Sequence, residues 1–215
     1  MYKYKNFFIA GICFFFGCIN FSNAQIVQPA QPAQPTQPAP VVRLRGTIVE
    51  AGDRSFVFKE RGGEIIRVAT EEQLSVQEVY PIEMSKIERN SYIGTAALAD
   101  KNGRLVALEV HVFPESMRGT GEGHRPWDSV PGSTMTNANV DELVSIGAAR
   151  ELHLKYKDGE KIVYVPESVP IVSYRPGSRT LLVPGANAVV MATEKDGKPT
   201  TSRVMVGRDG FKPPM

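Results

Sequence analysis

The residues most suited to chemistry lie in one stretch of the sequence, from Glu109 to Asp128. This stretch contains the only tryptophan and two of the three histidines. Glu109 and His111 alternate on a predicted strand, so their side chains project from the same face. Carboxylate oxygens and imidazole nitrogens are ligands of zinc and copper, and they also serve hydrolases as acid and base groups. Both kinds of chemistry have to be weighed for this stretch.

A metal site would draw on Glu109, His111 and His124. Zinc sites use three or four nitrogen, oxygen or sulfur ligands. The only cysteines, Cys13 and Cys18, lie in the N-terminal apolar run. The spacing of the candidate ligands matches no established zinc signature. The sequence therefore favours histidines that hydrogen-bond inside a packed loop, without a cofactor, and leaves zinc or copper binding as an alternative.

A hydrolase is a further interpretation of the same residues. A glycosidase needs two carboxylates held across a cleft, and Glu109 with Glu122 would be the pair, with His124 as an additional group. The sequence has no Gly-x-Ser-x-Gly nucleophile motif, and Ser116 and Ser133 are near His124 only along the chain. We therefore predict a protein without enzymatic activity and name no catalytic residue.

Binding is the chemistry that this stretch supports best. Gly119, Gly121 and Gly123 allow turns that other residues resist, and Pro126 fixes the chain before Trp127. The tryptophan offers a large amphipathic surface with one hydrogen-bond donor. We expect it to pack at the seam between two modules; the alternative is an exposed platform for a sugar ring or an extended peptide. The candidate ligand-binding residues are Arg118, Glu122, His124, Arg125, Trp127 and Asp128.

The elements that must position these residues are short β-strands. Apolar and polar residues alternate through residues 43–113, as around Phe56 and Phe58, and turns rich in Gly, Asn and Asp separate six strands. The alternation predicts that Glu109 and His111 point outward from the last of these strands. Such a pattern is typical of an all-β fold built from small barrels of the OB or SH3-like kind, because closure removes exposed strand edges.

The second half of the sequence repeats the first. Residues 56–64 align with 152–160, and 100–104 with 194–198, with turn residues and alternating apolar positions in the same order. A match of this kind predicts a duplicated module. The predicted units are a first barrel at 43–115, an ordered Gly/Trp loop at 116–133, a second barrel at 134–207 and a frayed tail at 208–215.

Two segments precede the predicted barrels. Two lysines, the apolar run Phe7–Ile19 and small residues up to Ala24 predict a secretory signal peptide, residues 1–24. The apolar run is too short to span a bilayer as a helix, so no membrane span is expected after cleavage. Lipidation at Cys18 is a weaker alternative. Residues 25–42 are rich in Gln and Pro, with proline at every third position, and predict an extended linker.

The charge balance limits the possible partners. Lys3 and Lys5 are the only charged residues among the first 24, so the rest of the chain carries 23 Lys and Arg beside 23 Asp and Glu. Near-neutrality argues against binding dominated by nucleic-acid phosphates or anionic lipid. We therefore expect a periplasmic or secreted protein that binds an envelope component or another protein.

The segments His111–Glu115 and Arg118–Asp128 resemble a group of secreted proteobacterial proteins. Those proteins have a tandem β-module domain of unknown function and an RGTGEGHRPWD loop. The resemblance covers residues 43–211 and implies a periplasmic β-barrel repeat fold. Some of the group are described as metal transporter permeases, an activity that needs several spanning helices and does not suit this sequence. The resemblance implies no reaction and no ligand.

Overall fold

β-strands dominate the structure, a computed structural model that describes residues 40–214. Strands account for 61% of it and helices for 5%, so the all-β prediction is confirmed. Within the described range, no helix has the length and apolar character needed to cross a membrane. The predicted signal peptide and nearly all of the predicted linker lie outside the described residues.

The strands follow one another along the chain, with three short 3₁₀ helices between some of them. The strands are β1 (Val42–Ala51), β2 (Ser55–Glu60), β3 (Ile65–Pro81), β4 (Tyr92–Ala99), β5 (Leu105–Val112), β6 (Gly123–Pro126), β7 (Thr134–Ile146), β8 (Ala149–Tyr156), β9 (Gly159–Val165), β10 (Ile171–Pro176), β11 (Asn187–Lys195) and β12 (Lys198–Gly207). The 3₁₀ helices are Met84–Lys86, Glu115–Met117 and Arg179–Leu181.

Turn chemistry explains why the chain reverses where it does. Between β4 and β5, Gly103 adopts a φ of +79°, a backbone conformation that favours glycine. The Asp100 carboxylate accepts hydrogen bonds from the backbone N–H groups of Asn102 and Arg104 at 2.9 and 3.0 Å. An aspartate that bonds to the backbone ahead of it stabilises a tight turn. This turn joins β4 to β5 as an antiparallel hairpin.

A closed five-stranded β-barrel contains the first strands of the chain. Its strands run in the order β1, β2, β3, β12 and β11, and β11 pairs with β1 again. We call it the first ring. Its interior is filled by apolar side chains that alternate along each strand, including Ile48, Phe56, Phe58 and Val68, none of them more than 1% exposed.

A second circuit of strand pairings follows the order β5, β4, β7, β8 and β9. It returns to β5 through a short parallel pairing in which Leu105 faces Val163 and Val106 faces Tyr164. We call it the second ring. Its apolar side chains form a core cluster of their own, which includes Val110, Leu152 and Leu154.

The prediction that residues 43–115 form one barrel and residues 134–207 the other does not describe how the strands are shared between the rings. The first ring takes β11 and β12 from the second segment, and the second ring takes β4 and β5 from the first. The described residues therefore form one compact unit. Alternation indicates which face of a strand is buried, but it does not indicate which neighbouring strand completes the sheet.

Between the two rings lies a third apolar cluster, which we call the middle layer. Its buried members are Val79, Val172, Tyr174, Val189 and Met205. Strand β10 crosses this layer, antiparallel to the end of β3 and parallel to the end of β5. Strands of both rings therefore have a second buried face outside their own ring.

The burial of Glu109 and His111 corrects the prediction that they point outward. Both residues are only 2% exposed, while Val110 between them packs into the second ring. Strand β5 is covered on one face by the ring core and on the other by the middle layer. A register shift between β4 and β5 also leaves Leu108 37% exposed, where simple alternation predicts an inward side chain.

The tail is packed against the folded part up to residue 214, which corrects the prediction that it is frayed. Phe211 contacts the middle layer, and Asn187 donates a hydrogen bond to the Gly210 carbonyl at 3.0 Å. Arg61 donates another to the Pro213 carbonyl at 3.3 Å. A segment held by an apolar side chain and by backbone hydrogen bonds is anchored despite its polar composition.

Glu78 is a buried carboxylate beside the middle layer, with its side chain 3% exposed. It forms ion pairs with Arg175 of β10 and, at 2.8 Å, with Arg208 after β12. The hydrogen bond from Arg175 lowers the pKa of Glu78; burial opposes this change, and the bond from Arg208 adds to it. The carboxylate therefore joins β3, β10 and the tail.

Gly46 marks a place where β1 and β2 approach too closely for any side chain. A Cβ atom at this position would lie 2.0 Å from the Lys59 carbonyl oxygen. We expect Gly46→Ala to lower the free energy of unfolding by roughly 1–3 kcal/mol, because the first ring must open to accept it. Urea unfolding of Gly62→Ala, where nothing lies within 4 Å, provides the control. Equal stability of the two variants would contradict the close approach.

Acid should weaken the contacts of Glu78. Because its pKa is lowered, the unfolded chain takes up the proton at a higher pH than the folded chain does. Its contribution to stability is complete above the ordinary pKa of 4.5 and is lost as the pH falls through the folded value. We expect Glu78→Gln to reduce the loss of unfolding free energy below pH 4.5. The exposed Glu64→Gln is the matched control; a common pH profile for both variants would refute the expectation.

Candidate functional site

A cleft of about 140 Å³ opens where the two rings and the segment after β5 meet. We call it the central cleft. Its walls come from β1, β3, β5, β7, β10, β11 and β12, and from residues 113–127. Segments far apart in the sequence therefore converge on one small cavity, beside the middle layer.

The inner wall of the central cleft is apolar and polarisable. Four methionines line it, together with the rings of Phe113 and Tyr174. These rings are stacked, with centroids 5.5 Å apart, and Tyr92 packs against Phe113 at 5.4 Å. Methionine side chains adapt to irregular shapes and make favourable contacts with aromatic groups. The methionines are Met117, Met135, Met191 and Met205.

Three arginines and Trp127 also line the cleft. The guanidinium carbon of Arg43 lies 4.0 Å from the centroid of the indole ring, and that of Arg125 lies 5.4 Å from it. These are cation–π distances. Arg203, on β12, is the third arginine of the wall. The guanidinium groups therefore give the polar part of the lining a positive charge.

Asp128 links the tryptophan segment to β1. Its carboxylate accepts a hydrogen bond from Arg45 at 2.7 Å and forms a longer ion pair with Arg43 at 3.5 Å. Burial raises the pKa of Asp128, but the hydrogen bond from Arg45 and the charges of Arg45 and Arg43 outweigh it, so the net pKa is lowered. The result is a carboxylate that orients Arg43 beside Trp127.

A polar chain extends from the cleft into the middle layer. The hydroxyl group of Tyr174 is 2.9 Å from Nδ1 of His111, and Nε2 of His111 is 3.4 Å from the Glu109 carboxylate. Burial, followed by the charge of Glu109, raises the pKa of Tyr174. The phenol therefore remains protonated under ordinary conditions. His111 and Tyr174 line the cleft, whereas Glu109 lies behind them.

Arg118 anchors the segment that covers the cleft. It forms a two-point ion pair with Glu115, with both contacts at 2.7 Å. It also donates hydrogen bonds to the Asn139 side chain and, at 3.0 Å, to the Asn90 carbonyl. The hydrogen bond to Glu115 is the main cause of a raised Arg118 pKa. Arg118 thus holds the chain in position without lining the cavity.

Three buried polar atoms of the cleft lining have no hydrogen-bond partner within residues 40–214. They are Nε1 of Trp127, Oδ1 of Asn137 and Nε2 of His111, and the last of these has only its 3.4 Å ion-pair contact with Glu109. The amide nitrogen of Asn137 is used, because it donates to the Thr120 carbonyl at 2.9 Å. Buried polar atoms are almost always paired in folded proteins. A donor and an acceptor in the cleft wall therefore remain available to a ligand.

Of the six candidate binding residues, Arg125 and Trp127 line the central cleft. Asp128 acts beside it through Arg43, and Arg118 anchors the segment. Glu122 and His124 are elsewhere: a Glu122 oxygen accepts a hydrogen bond from the Lys157 backbone at 2.9 Å. His124 contacts Thr136 at 2.8 Å through Nδ1. Burial, then the charges of Lys161 and Arg125, lower the His124 pKa.

The proposed metal ligands Glu109, His111 and His124 do not gather. Across the sheet, His124 faces Thr136, which faces Thr95, which faces the residue before His111. Three strand spacings correspond to roughly 14 Å. In the described range, no three side chains of His, Cys, Asp or Glu come together as a metal site. The structure therefore does not bring these three residues together, because the strand that carries His124 pairs with the far side of β7.

The two carboxylates of the hydrolase alternative, Glu109 and Glu122, also lie in different environments. Glu109 is 2% exposed and lies behind the cleft wall, whereas Glu122 is on the surface. Neither side chain lines the central cleft. A glycosidase mechanism requires both carboxylates to face one substrate, and these two do not.

Two larger hollows lie beside the tail, and no aromatic ring of residues 40–214 lines either of them. One, of about 530 Å³, is bounded by residues 180–186 and 207–210, and its only charged residues are Arg208 and Asp209. Arg208 is already paired with Glu78. The other, of about 300 Å³, lies between β1, β2 and residues 212–213. The smaller central cleft is the better candidate because it combines aromatic, apolar and cationic groups.

Several cleft residues were missed by reasoning from the sequence. Arg43, Tyr174, Met191 and Arg203 are distant from the Gly/Trp segment and belong to ordinary alternating strands. One signal was available: aligned with the first half, Arg203 and Met205 occupy the positions of Glu109 and His111. Nothing in that alignment indicated that all of these residues approach one cavity.

Comparison with protein-family models, with curated protein sequences and with solved structures gives no match. The functional assignment therefore depends on the geometry of this chain.

Loss of the Tyr174 hydroxyl should destabilise the middle layer. Tyr174→Phe leaves Nδ1 of His111 buried without that partner, which should cost about 1–3 kcal/mol of unfolding free energy. Urea unfolding followed by Trp127 fluorescence measures the effect, because this is the only tryptophan. Tyr164→Phe, which removes a hydroxyl from a half-buried ring of β9, is the matched control. The assignment fails if the two variants lose equal stability.

Proposed function

We propose that this protein is an exported, non-catalytic binding module that holds a small envelope component or the end of a larger one in the central cleft. The observation that carries the proposal is the cleft itself. An apolar wall of methionines and aromatic rings is joined there to three arginines and an indole. Ligand sites combine a mainly apolar lining with a few converging polar groups.

The state of the polar groups favours binding over a purely structural role. Trp127 presents a buried N–H group without a partner in the described residues, and Arg125 forms no ion pair there with a carboxylate. Burial, followed by the neighbouring charge of Arg43, lowers the Arg125 pKa. A half-buried cation next to another cation is costly, and a ligand with complementary groups would relieve that cost.

The same groups argue against turnover as the function. The titratable residues nearest the cleft, His111 and Tyr174, are already engaged with each other, and Glu109 is buried behind them. A general acid or base needs access to the reacting proton. Burial raises the pKa of Tyr174, so the phenol stays protonated and no phenolate is available to act as a base. A fixed chain of polar side chains of this kind is suited to holding the cleft wall in place rather than to catalysis.

Export is supported by the first 24 residues, which lie outside the described part of the chain. Their two lysines, apolar run and small residues have the order of a secretory signal. Both cysteines fall in this segment. After cleavage the protein would contain no thiol and no disulfide, and it would rely on packing for stability in the periplasm or outside the cell.

We also propose that the two halves are copies of one five-stranded unit whose last hairpins are exchanged. Equivalent strands support this, since β1 and β2 shift register between Ile48 and Glu50, and β7 and β8 shift between Val140 and Glu142. The closing hairpins also match, with shifts after Ala96 in β4 and after Met191 in β11. β-Bulges are kept at equivalent positions in related sheets, so their matching places support a common origin for the two halves.

Duplication would explain why the counterpart of this cleft in the other copy, within residues 40–214, lacks the same lining. The position of His111 in the first copy is taken by Met205 in the second, and that of Glu109 by Arg203. The segment with Trp127 connects the copies and so occurs once. The indole and the arginines therefore lie at one end of the pseudo-symmetric pair of copies and not at the other.

Binding can be tested by equilibrium dialysis of the protein against the small-molecule fraction of a cell-envelope extract. Mass spectrometry should identify at least one compound enriched with the wild-type protein. Met191→Phe, which enlarges a side chain of the cleft wall, should abolish that enrichment. Ile65→Phe adds the same ring at a position that is 65% exposed and remote from the wall, and it should leave enrichment unchanged.

Two results would contradict the proposed function. One is the absence of any enriched compound with wild-type protein. The other is equal enrichment by wild type and Met191→Phe, provided that the variant melts at the same temperature as the Ile65→Phe control.

A further inference from the structure

The geometry points to a ligand class for the central cleft: a compact organic carboxylate, with one anionic group on a cyclic or branched apolar body. This inference rests on the proposed binding function and narrows it. The anionic group would lie among Arg43, Arg125 and Arg203, and the apolar body would face the methionines and the aromatic rings.

The charge of the lining selects an anion. Two of the three arginines lack a carboxylate partner within residues 40–214: Arg125 donates to the Gly121 carbonyl at 2.7 Å, and the side chain of Arg203 makes no hydrogen bond or ion pair there. Only Arg43 has such a partner, Asp128, at 3.5 Å. Guanidinium groups bind carboxylates through paired, charge-assisted hydrogen bonds.

The carboxylates near the cleft offset only one of these cations, Arg43, and only in part. Asp128 makes its shorter contact with Arg45, at 2.7 Å, which lies outside the lining. Glu109 is behind the wall, in contact with His111. The lining itself contains no aspartate or glutamate. An entering cation would therefore meet three positive charges and, in the described lining, no carboxylate.

An unpaired hydrogen-bond donor adds a directional contact to the attraction between opposite charges. Nε1 of Trp127 is buried and has no partner in the described range, so it can donate to a carboxylate oxygen that also accepts from Arg43 or Arg125. Both guanidinium groups already lie against the indole, at 4.0 and 5.4 Å from its centroid. The donors are thus held next to one another before a ligand arrives, which reduces the entropic cost of binding.

The size of the cavity limits the ligand. A volume of about 140 Å³ corresponds to roughly four or five water molecules, below the range of ordinary ligand pockets. One ring or one branched chain fills such a space. The apolar wall favours a carboxylate with a hydrophobic body over inorganic phosphate or sulfate, which would leave the methionines and Phe113 exposed to water.

The test uses the fluorescence of Trp127, the only tryptophan, as a direct reporter of the cleft. The purified protein is titrated with cyclohexanecarboxylate, with its neutral amide and with cyclohexylmethylammonium, at fixed ionic strength. We expect a saturable change with the carboxylate and at least tenfold weaker binding of the amide, as a charge-assisted hydrogen bond implies. The ammonium compound should give no saturable change.

Paired variants separate local from general charge effects. Arg203→Gln should weaken binding of the carboxylate by about five- to tenfold, with little change for the amide. Arg54→Gln removes the same charge from an exposed turn between β1 and β2 that does not line the cleft, and it should leave the affinity unchanged. Both variants should keep the wild-type melting temperature, because neither side chain forms an ion pair in the described structure.

The outcomes distinguish this inference from the proposed function. Equal affinity for the carboxylate and the amide, or equal effects of Arg203→Gln and Arg54→Gln, overturns the anion assignment and leaves a binding cleft. Tighter binding of the ammonium compound overturns it as well. The absence of saturation with all three probes, combined with no enriched compound in dialysis, overturns both proposals.

Discussion

The parallel pairing of β12 with β3 is the contact on which the rest of the structure depends. It joins strands from opposite ends of the described chain, over the register from Thr200 beside Ala69 to Gly207 beside Val79. Without it the first ring has two open edges, and exposed edges invite pairing with other chains. Closure of the ring by the last hairpin also brings Met191, Arg203 and Met205 to the wall of the central cleft.

This exchange gives several strands two buried faces, and it determines where polar groups are placed. β5 presents Val110 to the second ring and Glu109 with His111 to the middle layer. A buried carboxylate and a buried imidazole are tolerated only with partners, which here are each other and the hydroxyl of Tyr174. The cleft forms at the border of this layer, where Trp127 covers it and three arginines face an apolar wall.

Much of the local structure could be predicted from the sequence, because alternation and turn residues act over short range. The alternating residues around Phe56 and Phe58 lie on a strand, β2, and both phenyl rings are buried. The burial of His111 and the pairing of Glu78 with Arg175 and Arg208 could not be predicted, since both depend on which distant strand completes a sheet. The Gly/Trp segment identified the right region of the protein, but the cleft needs residues that no local pattern distinguishes.

Disulfide trapping tests the strand exchange most directly, since the chain after residue 24 contains no cysteine. The structure pairs Thr200 with Ala69, whereas consecutive barrels would place Thr200 beside Tyr164, which here pairs with Val106. Under mild oxidation, Ala69→Cys combined with Thr200→Cys should form an intramolecular disulfide, and Tyr164→Cys combined with Thr200→Cys should remain reduced. A disulfide in the second variant and free thiols in the first would contradict the exchange, and with it the origin of the central cleft.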